Sequence, residues 1–472
     1  MALSRWNMIA RAPAALAFFC LLPTAALAQS VPPPATTPGI ELTLPQVRQV
    51  AVQALQAGRP ELAYTLAQGL LKADPTSSFA YFTRANAQAL LGQPRAARKS
   101  AAKSYRYANT TLNRFEAAEL AARLSYAEQR PTLTQLWLRR AVQHAPNKEI
   151  EARLGRDYGT VRAQNPVSFS LRGGLRPSNN VNNGSDTTVQ IIDGLPFTGT
   201  LSGSALALSG TVATMDASLG YRLQGNATSR TTIGGRLFVK RVALDSNAQA
   251  LAPSVRNSDL GTTYGEASLR HDFLLGQTGN QAYITGAFGQ FWFGGERSYD
   301  FARLEAGRDW ALSKATKFRL DAAAEQRQSA RDAPFDSTSL AFVAGVSQAR
   351  GNGDSMSFAL NLRHTESDFV NARTRSATLS TSYSFGQQMG PVKVSAGLVA
   401  GYSDYPDYVV VFAVPGGRQD KSIYANLNLF FPDVDYAGFA PTLRIAAGRK
   451  FSNVSRFDTR EVSVSFGIQS KF

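Results

Sequence analysis

The side chains able to make or break bonds are few and far apart. His144, His271 and His364 are the 3 histidines and share no short spacing, and the 1 cysteine, Cys20, lies in the opening segment. Hydrolytic chemistry needs a base beside a nucleophile or an activated water, with a third group to orient it. No stretch gathers such residues. The glycine pairs Gly173-Gly174, Gly234-Gly235 and Gly294-Gly295 do not lead into a helix as a phosphate-binding loop must. In strands, such glycines mark bends, bulges or the close approach of another chain. Asn226-Ala227-Thr228 fits a glycosylation acceptor and equally a turn. The expectation is a chain that is not an enzyme, with no cofactor and no catalytic or metal residues, and whose chemistry is recognition by charge and shape.

The elements that would present such surfaces fall into four stretches. Arg5 and Arg11, the apolar run Ala12 to Leu22, and Ala26-Leu27-Ala28 read as a signal peptide over 1–28. Phe18-Phe19 before Cys20 are too bulky for a lipoprotein cleavage site, so the mature chain would carry no thiol. Residues 29–40, with Pro32, Pro33, Pro34 and Pro38, read as an extended linker. Charged residues make up 18% of the 472 and hydrophobic ones 44%, which excludes a disordered chain. No later run reaches the ~18 consecutive apolar residues of a membrane-spanning helix.

Residues 41–160 are rich in Ala, Leu, Gln and Arg and favour helix. Gly58 and Gly92, Pro60 and Pro94, Ala51 and Ala85, Ala63 and Ala97, and Ala67 and Ala101 are each 34 apart. That is the period of the tetratricopeptide repeat, which the stretch resembles over two and a half to three units; a generic helical solenoid is the other reading. Stacked helix pairs leave a concave face that binds peptide or protein. Repeat phasing would point Arg48, Val52, Phe82 and Asn86 into that groove, where each also has a packing or solvated role open to it. The span 41–165 holds 18 Lys+Arg against 9 Asp+Glu, within a formal net charge of +16 for the whole chain. A basic array in an exported protein suits an acidic partner or anionic lipid rather than nucleic acid.

After Pro166 the period changes to two. Phe318, Leu320, Ala322 and Ala324 alternate with Lys317, Arg319, Asp321 and Glu325, and Val394, Ala396, Leu398 and Ala400 alternate with Lys393, Ser395 and Gly397. The polar face repeatedly carries cations: Arg236, Lys240, Arg319, Arg327, Arg363, Lys393, Arg444 and Lys450. A water-filled lumen admits these and a packed core does not. Aromatic residues gather near run ends, at Phe291-Trp292-Phe293, at Tyr402 and Tyr405, and at Phe430-Phe431. The runs predict fourteen strands in a transmembrane antiparallel β-barrel over 166–472, although splitting Val181–Leu208 would allow sixteen. An even count returns both ends to one side. The longer segments Ser178–Ser209, Ala243–Leu260, Ser367–Arg373 and Ser452–Thr459 would then face the other. The tail, with Phe466, Ile468 and Phe472 alternating with polar residues, resembles the assembly signal of outer-membrane barrels.

A signal peptide, a few repeats and then such a barrel form an uncommon order. It resembles the surface lipoprotein assembly modulator (Slam) family, the outer-membrane translocons of type XI secretion. Arg176-Pro177-Ser178-Asn179-Asn180-Val181-Asn182 is similar to the family's barrel start. Arg418-Gln419-Asp420 and the span from Gly438 through Ser452-Asn453 are similar to its closing hairpins. Turn chemistry alone would also explain Asn179, Asn180, Ser452 and Asn453. The resemblance implies delivery of lipoproteins or soluble proteins to the cell surface of a Gram-negative bacterium. The repeats would catch cargo in the periplasm. The barrel-assembly machinery and outer-membrane lipid would be its other partners, and the barrel would be a monomer. An exopolysaccharide export barrel and a nutrient porin are the competing functions.

Overall fold

The computed structural model describes residues 42–193, 198–276, 280–434, 436 and 439–470. The expected signal peptide, the linker and Phe472 lie outside the described residues. Seven helices come first: α1 (Leu44–Gln56), α2 (Pro60–Ala73), α3 (Ser78–Leu90), α4 (Pro94–Tyr107), α5 (Thr111–Ala127), α6 (Pro131–Gln143) and α7 (Lys148–Gln164). They make three hairpins and a closing helix, and α7 runs past residue 160.

The repeat is visible in how the helices start. The second helix of each hairpin begins on a proline, at Pro60, Pro94 and Pro131. Its missing N–H falls among the donors that a first turn leaves unpaired. The odd helices α3, α5 and α7 are instead capped by Ser77, Thr110 and Asn147, whose side chains accept from Ala80, Asn113 and Ile150. Caps of this kind contribute about 1 kcal/mol each. Alanines let the helices approach: Ala51, Ala63, Ala67, Ala85, Ala97 and Ala101 are all 0% exposed. A larger core around Phe115, Leu120, Trp137, Leu138 and Leu154 joins α3 through α7.

The strands that follow are β1 (Val167–Ser178), β2 (Val189–Ile191), β3 (Thr198–Thr200), β4 (Gly210–Gly225), β5 (Ser229–Leu244), β6 (Thr262–Leu275), β7 (Asn280–Phe293) and β8 (Glu296–Ala311). Then come β9 (Thr316–Ser329), β10 (Ser337–Ala349), β11 (Ser355–Ser367), β12 (Thr374–Ser384), β13 (Lys393–Tyr405), β14 (Arg418–Phe430), β15 (Phe439–Ser452) and β16 (Thr459–Ser470). All but β2 and β3 form one closed antiparallel barrel of fourteen strands, each paired with its sequence neighbour, and β1 closes against β16. The segment that could have supplied two further barrel strands instead folds β2 and β3 into a separate hairpin.

Alternation sets the two faces. On β4 the residues Met215, Leu219, Tyr221 and Leu223 are exposed, as are Phe358, Leu360 and Leu362 on β11 and Val462, Phe466 and Ile468 on β16. Each set shares one parity, so an apolar belt covers the outside and the opposite parity lines the lumen. Connections are short at the end where the helices enter, such as 226–228 and 312–315. At the far end lie the long ones, 179–209, 245–261 and 406–417. Asn226 in one short turn accepts from the backbones of Thr228 and Ser229, so it folds that turn.

The closing pair differs from the rest. β1 pairs with β4 without a break from Val167 opposite Tyr221 to Ser178 opposite Gly210. With β16 it pairs only at Gly173, Gly174, Leu175 and Ser178 among the described residues. A Cβ on Gly174 would meet the Phe466 carbonyl at 2.9 Å, and one on Gly467 would meet the Gly173 carbonyl at 2.9 Å. Glycine at both positions lets the two backbones come this close.

Candidate functional site

The lumen wall of β6 to β9 is a lattice of opposite charges. Arg303 reaches Glu266 at 2.5 Å and Glu325 at 3.3 Å, and Arg327 donates to Glu325 at 2.7 Å. Arg319 donates to Asp321 at 2.6 Å, while the Tyr283 hydroxyl sits between the carboxylates of Glu305 and Asp321, at 2.6 and 2.7 Å. Arg270 holds Asp272 at 2.8 Å. Residues two apart on a strand share this face, and neighbouring strands bring the next pair level. The lattice pairs its charges nearly completely, so it leaves little charge for a ligand.

The other wall is built differently. Arg236 grips Asp216 through two bonds of 2.9 and 2.8 Å, and Arg176 pairs with Glu461. Lys240 donates to the Val181 carbonyl at 3.2 Å. Arg363 lies on the inward parity of β11, opposite Ser376. Lys393 and Arg444 line a cavity of about 550 Å³ together with Arg172, Thr214, Asp216, Phe238 and Phe430. Sequence reading did not single out Arg172, although it shares the parity of Arg176. Phe430 and Phe291 face inward, and Phe291 stacks on Tyr299 at 5.1 Å. Being at a run end therefore did not fix which side an aromatic faces. Phe466 and Ile468 face outward on β16.

At the far rim the long segment after β1 folds back onto the inner wall. Val181 and Leu208 pack against Val212, Val242 and Leu244, and Ala248 in the short helix α8 (Ser246–Leu251) joins them. A second cluster joins Ile192, Val414 and Val454. Pro177 sits in the ladder opposite Thr211. The Ser178 hydroxyl accepts from the Asn180 backbone, and the Asn180 side chain exchanges two bonds with the Gly184 backbone. Asn179 spans to β16, accepting from Val462 at 3.1 Å. Ser452 accepts from Val454, and Asn453 ties the Gln419 and Gly417 backbones. These residues are polar clips that hold the rim. Asp458 accepts from the Ser452 backbone at 2.6 Å, and its burial pushes its carboxyl above the usual range.

Arg418 is the centre of a further clamp. It holds Asp420 at 3.0 and 2.6 Å and lies over the Phe457 ring at 3.3 Å and the Tyr405 ring at 4.2 Å. Charge-assisted bonds and ring stacking together keep this buried guanidinium paired.

At the near rim the helices are tied to the barrel. Arg139 of α6 donates to Ser470 at 2.9 Å and lies over the Phe439 ring at 4.8 Å. Lys148 faces Asp433 at 3.4 Å, and Arg222 of β4 donates to the Ala163 carbonyl at 2.9 Å. Buried Asn165 connects Gln135 of α6 to the Val167 backbone at the start of β1. These anchors had no sequence signature, because each contact joins residues far apart in the chain.

Of the groove candidates, Arg48 and Val52 are exposed on α1, with Arg48 over the Phe79 ring at 5.7 Å. Phe82 packs against the main helical core, and Asn86 donates to the Phe82 carbonyl at 3.0 Å. The histidines stay apart. His144 ends α6 beside the Tyr105 hydroxyl at 3.1 Å, and burial, with Arg114 adding to it, holds its imidazole below the usual value. His271 meets Thr231 at 2.8 Å, and His364 meets Glu366 at 2.7 Å.

The fold is thus a helical-repeat domain seated on a closed fourteen-strand barrel. No protein-family model and no curated protein matches the chain. The helical part is similar to SycD, a type III secretion translocator chaperone of Yersinia enterocolitica. That match has 18% identity over 26% of this chain and 88% of the other, with a TM-score of 0.24. The barrel is similar to an outer-membrane channel of Pseudomonas putida F1, at 12% identity, 63% and 94% coverage and a TM-score of 0.31. It is also similar to OccAB3 of Acinetobacter baumannii, at 10% identity, 64% and 98% coverage and a TM-score of 0.35.

Proposed function

We infer that this protein is an outer-membrane translocon that delivers lipoproteins or soluble proteins to the cell surface, with the helical repeats catching the passenger in the periplasm. The observation that carries this reading is the seat of the helical domain. Arg139, Lys148 and Arg222 hold it against β16, the β14–β15 turn and β4, beside the strands that close the barrel. A basic repeat array at that mouth is placed to hand an acidic passenger to the lumen or to the thinly paired seam. The apolar outer belt suits lipid, and insertion would fall to the barrel-assembly machinery. The reading includes no bond-making step and needs no partner subunit. Directional bias would come from passenger folding or capture outside the cell.

The test is deletion of residues 42–165 in the exported chain. The barrel is expected to assemble, seen as heat-modified gel mobility, while surface display of passenger falls by tenfold or more. Display at the wild-type level by an assembled barrel would remove the repeats from the mechanism. The porin reading makes the opposite demand, a steady ionic conductance. The rim segment packed on the inner wall by Val181 and Leu208 argues against it.

A further inference from the structure

The lumen cations differ in whether a carboxylate holds them. On β6 to β9 the arginines Arg270, Arg303, Arg319 and Arg327 each hold a carboxylate within 2.8 Å. Arg172 on β1, Lys393 on β13 and Arg444 on β15 have no ion-pair partner among the described residues, yet all three line the one cavity of about 550 Å³. The single carboxylate in its lining is Asp216, whose two oxygens are occupied by Arg236 at 2.9 and 2.8 Å. Thr214, Ser395, Asn428, Thr442 and Gln469 add neutral hydrogen-bonding groups to the same lining. The cavity lies in the half of the lumen nearer the helical domain, since Lys393 opens β13 and Thr442 lies close to the start of β15.

We propose that this cavity binds a compact phosphate-type oxyanion through Arg172, Lys393 and Arg444. Three like charges on one cavity repel one another, and its single carboxylate, Asp216, is already gripped by Arg236. A ligand bearing phosphate groups balances these charges, since a terminal phosphate carries about 1.5 to 2 negative charges. Two guanidinium groups and an ammonium along the arc from β1 to β13 offer both bidentate geometry and charge. The volume is that of a small-molecule site, which commonly runs from about 300 to 1,000 Å³. The phosphate could belong to a free solute or to a lipid headgroup. The site needs only the barrel, and it stands whether or not the helices deliver protein.

Full-length protein in uncharged detergent would be titrated calorimetrically with inorganic tripolyphosphate and, separately, with short-chain phosphatidylglycerol. Saturable binding of one equivalent is expected, with affinity falling as salt rises. Lys393→Gln and Arg444→Gln should each weaken it at least about tenfold. Lys317→Gln, on the opposite wall, should leave it unchanged. Lys393→Arg should keep binding, which separates loss of charge from failed assembly. Binding of tripolyphosphate assigns a free solute, and binding of the lipid alone, with the same sensitivity, assigns a headgroup. If neither binds saturably, or Lys317→Gln weakens binding as much as Lys393→Gln, the site does not exist. A triglutamate peptide that binds more tightly than tripolyphosphate would transfer the cations to an acidic passenger and overturn the assignment.

Discussion

Gln129 adopts a left-handed backbone, with φ of 56°, where the two preceding hairpins use Gly58 at 67° and Gly92 at 72°. A non-glycine residue in that region costs about 1–3 kcal/mol unless its surroundings repay it. Gln129→Gly should therefore stabilise the helical domain by up to about 1 kcal/mol after glycine's own entropic cost, read as a higher thermal midpoint of the helical signal in circular dichroism. A lower midpoint would mean that the glutamine side chain contributes more than the strain removes. The repeat was legible here from Gly58, Gly92, Pro60 and Pro94, which advertise their backbone geometry. Gln129 advertises nothing, because any residue can be forced into the position by helices packed on either side. The inward arginines show the same limit. Their parity could be read in advance, as could same-strand pairs such as Arg319 with Asp321, but that Arg303 reaches Glu266 depends on a strand two places away.

Among elements, the segment 179–209 changes most between sequence and structure. Its length marked it as a long connection. That it folds back onto the inner wall follows from Val181 and Leu208 meeting the inward-facing Val212 and Val242. Apolar residues on a lumen-facing parity were the available signal, since water-lined strands otherwise carry polar groups there. Leu208 is 0% exposed. Leu208→Ala should cost this cluster about 2–5 kcal/mol and free the segment while leaving the barrel assembled. Limited proteolysis should then cut within 179–209 in the variant and spare the parent. Equal resistance of the two would show that the polar clips of Asn180, on the Gly184 backbone, and of Asn182, which bonds the Leu206 carbonyl and the Leu208 N–H, hold the segment without the apolar contact.

Across the whole molecule, the helical domain, the seam and the rim divide the work of one closed wall. The outward parity makes that wall a membrane-facing surface, and this can be tested at a single position. Leu219, 56% exposed in β4, should meet lipid. Leu219→Arg should destabilise the assembled barrel by about 2–4 kcal/mol if it lies near the bilayer midplane. A shift of the urea midpoint for refolding into vesicles would measure this. An unchanged midpoint would mean that water, not hydrocarbon, wets this face.

The sequence by itself determined the helical hairpins, the fourteen runs and the two faces of each strand. All of these are set by near neighbours: proline and glycine punctuation, a period of 34, and alternation. Tertiary structure alone decided that the rim segment packs inside, that α6 and α7 are pinned to the barrel mouth, and that Arg172, Lys393 and Arg444 share one cavity. Those outcomes join residues hundreds of positions apart, and only closing the sheet brings β1, β13 and β15 round a common space.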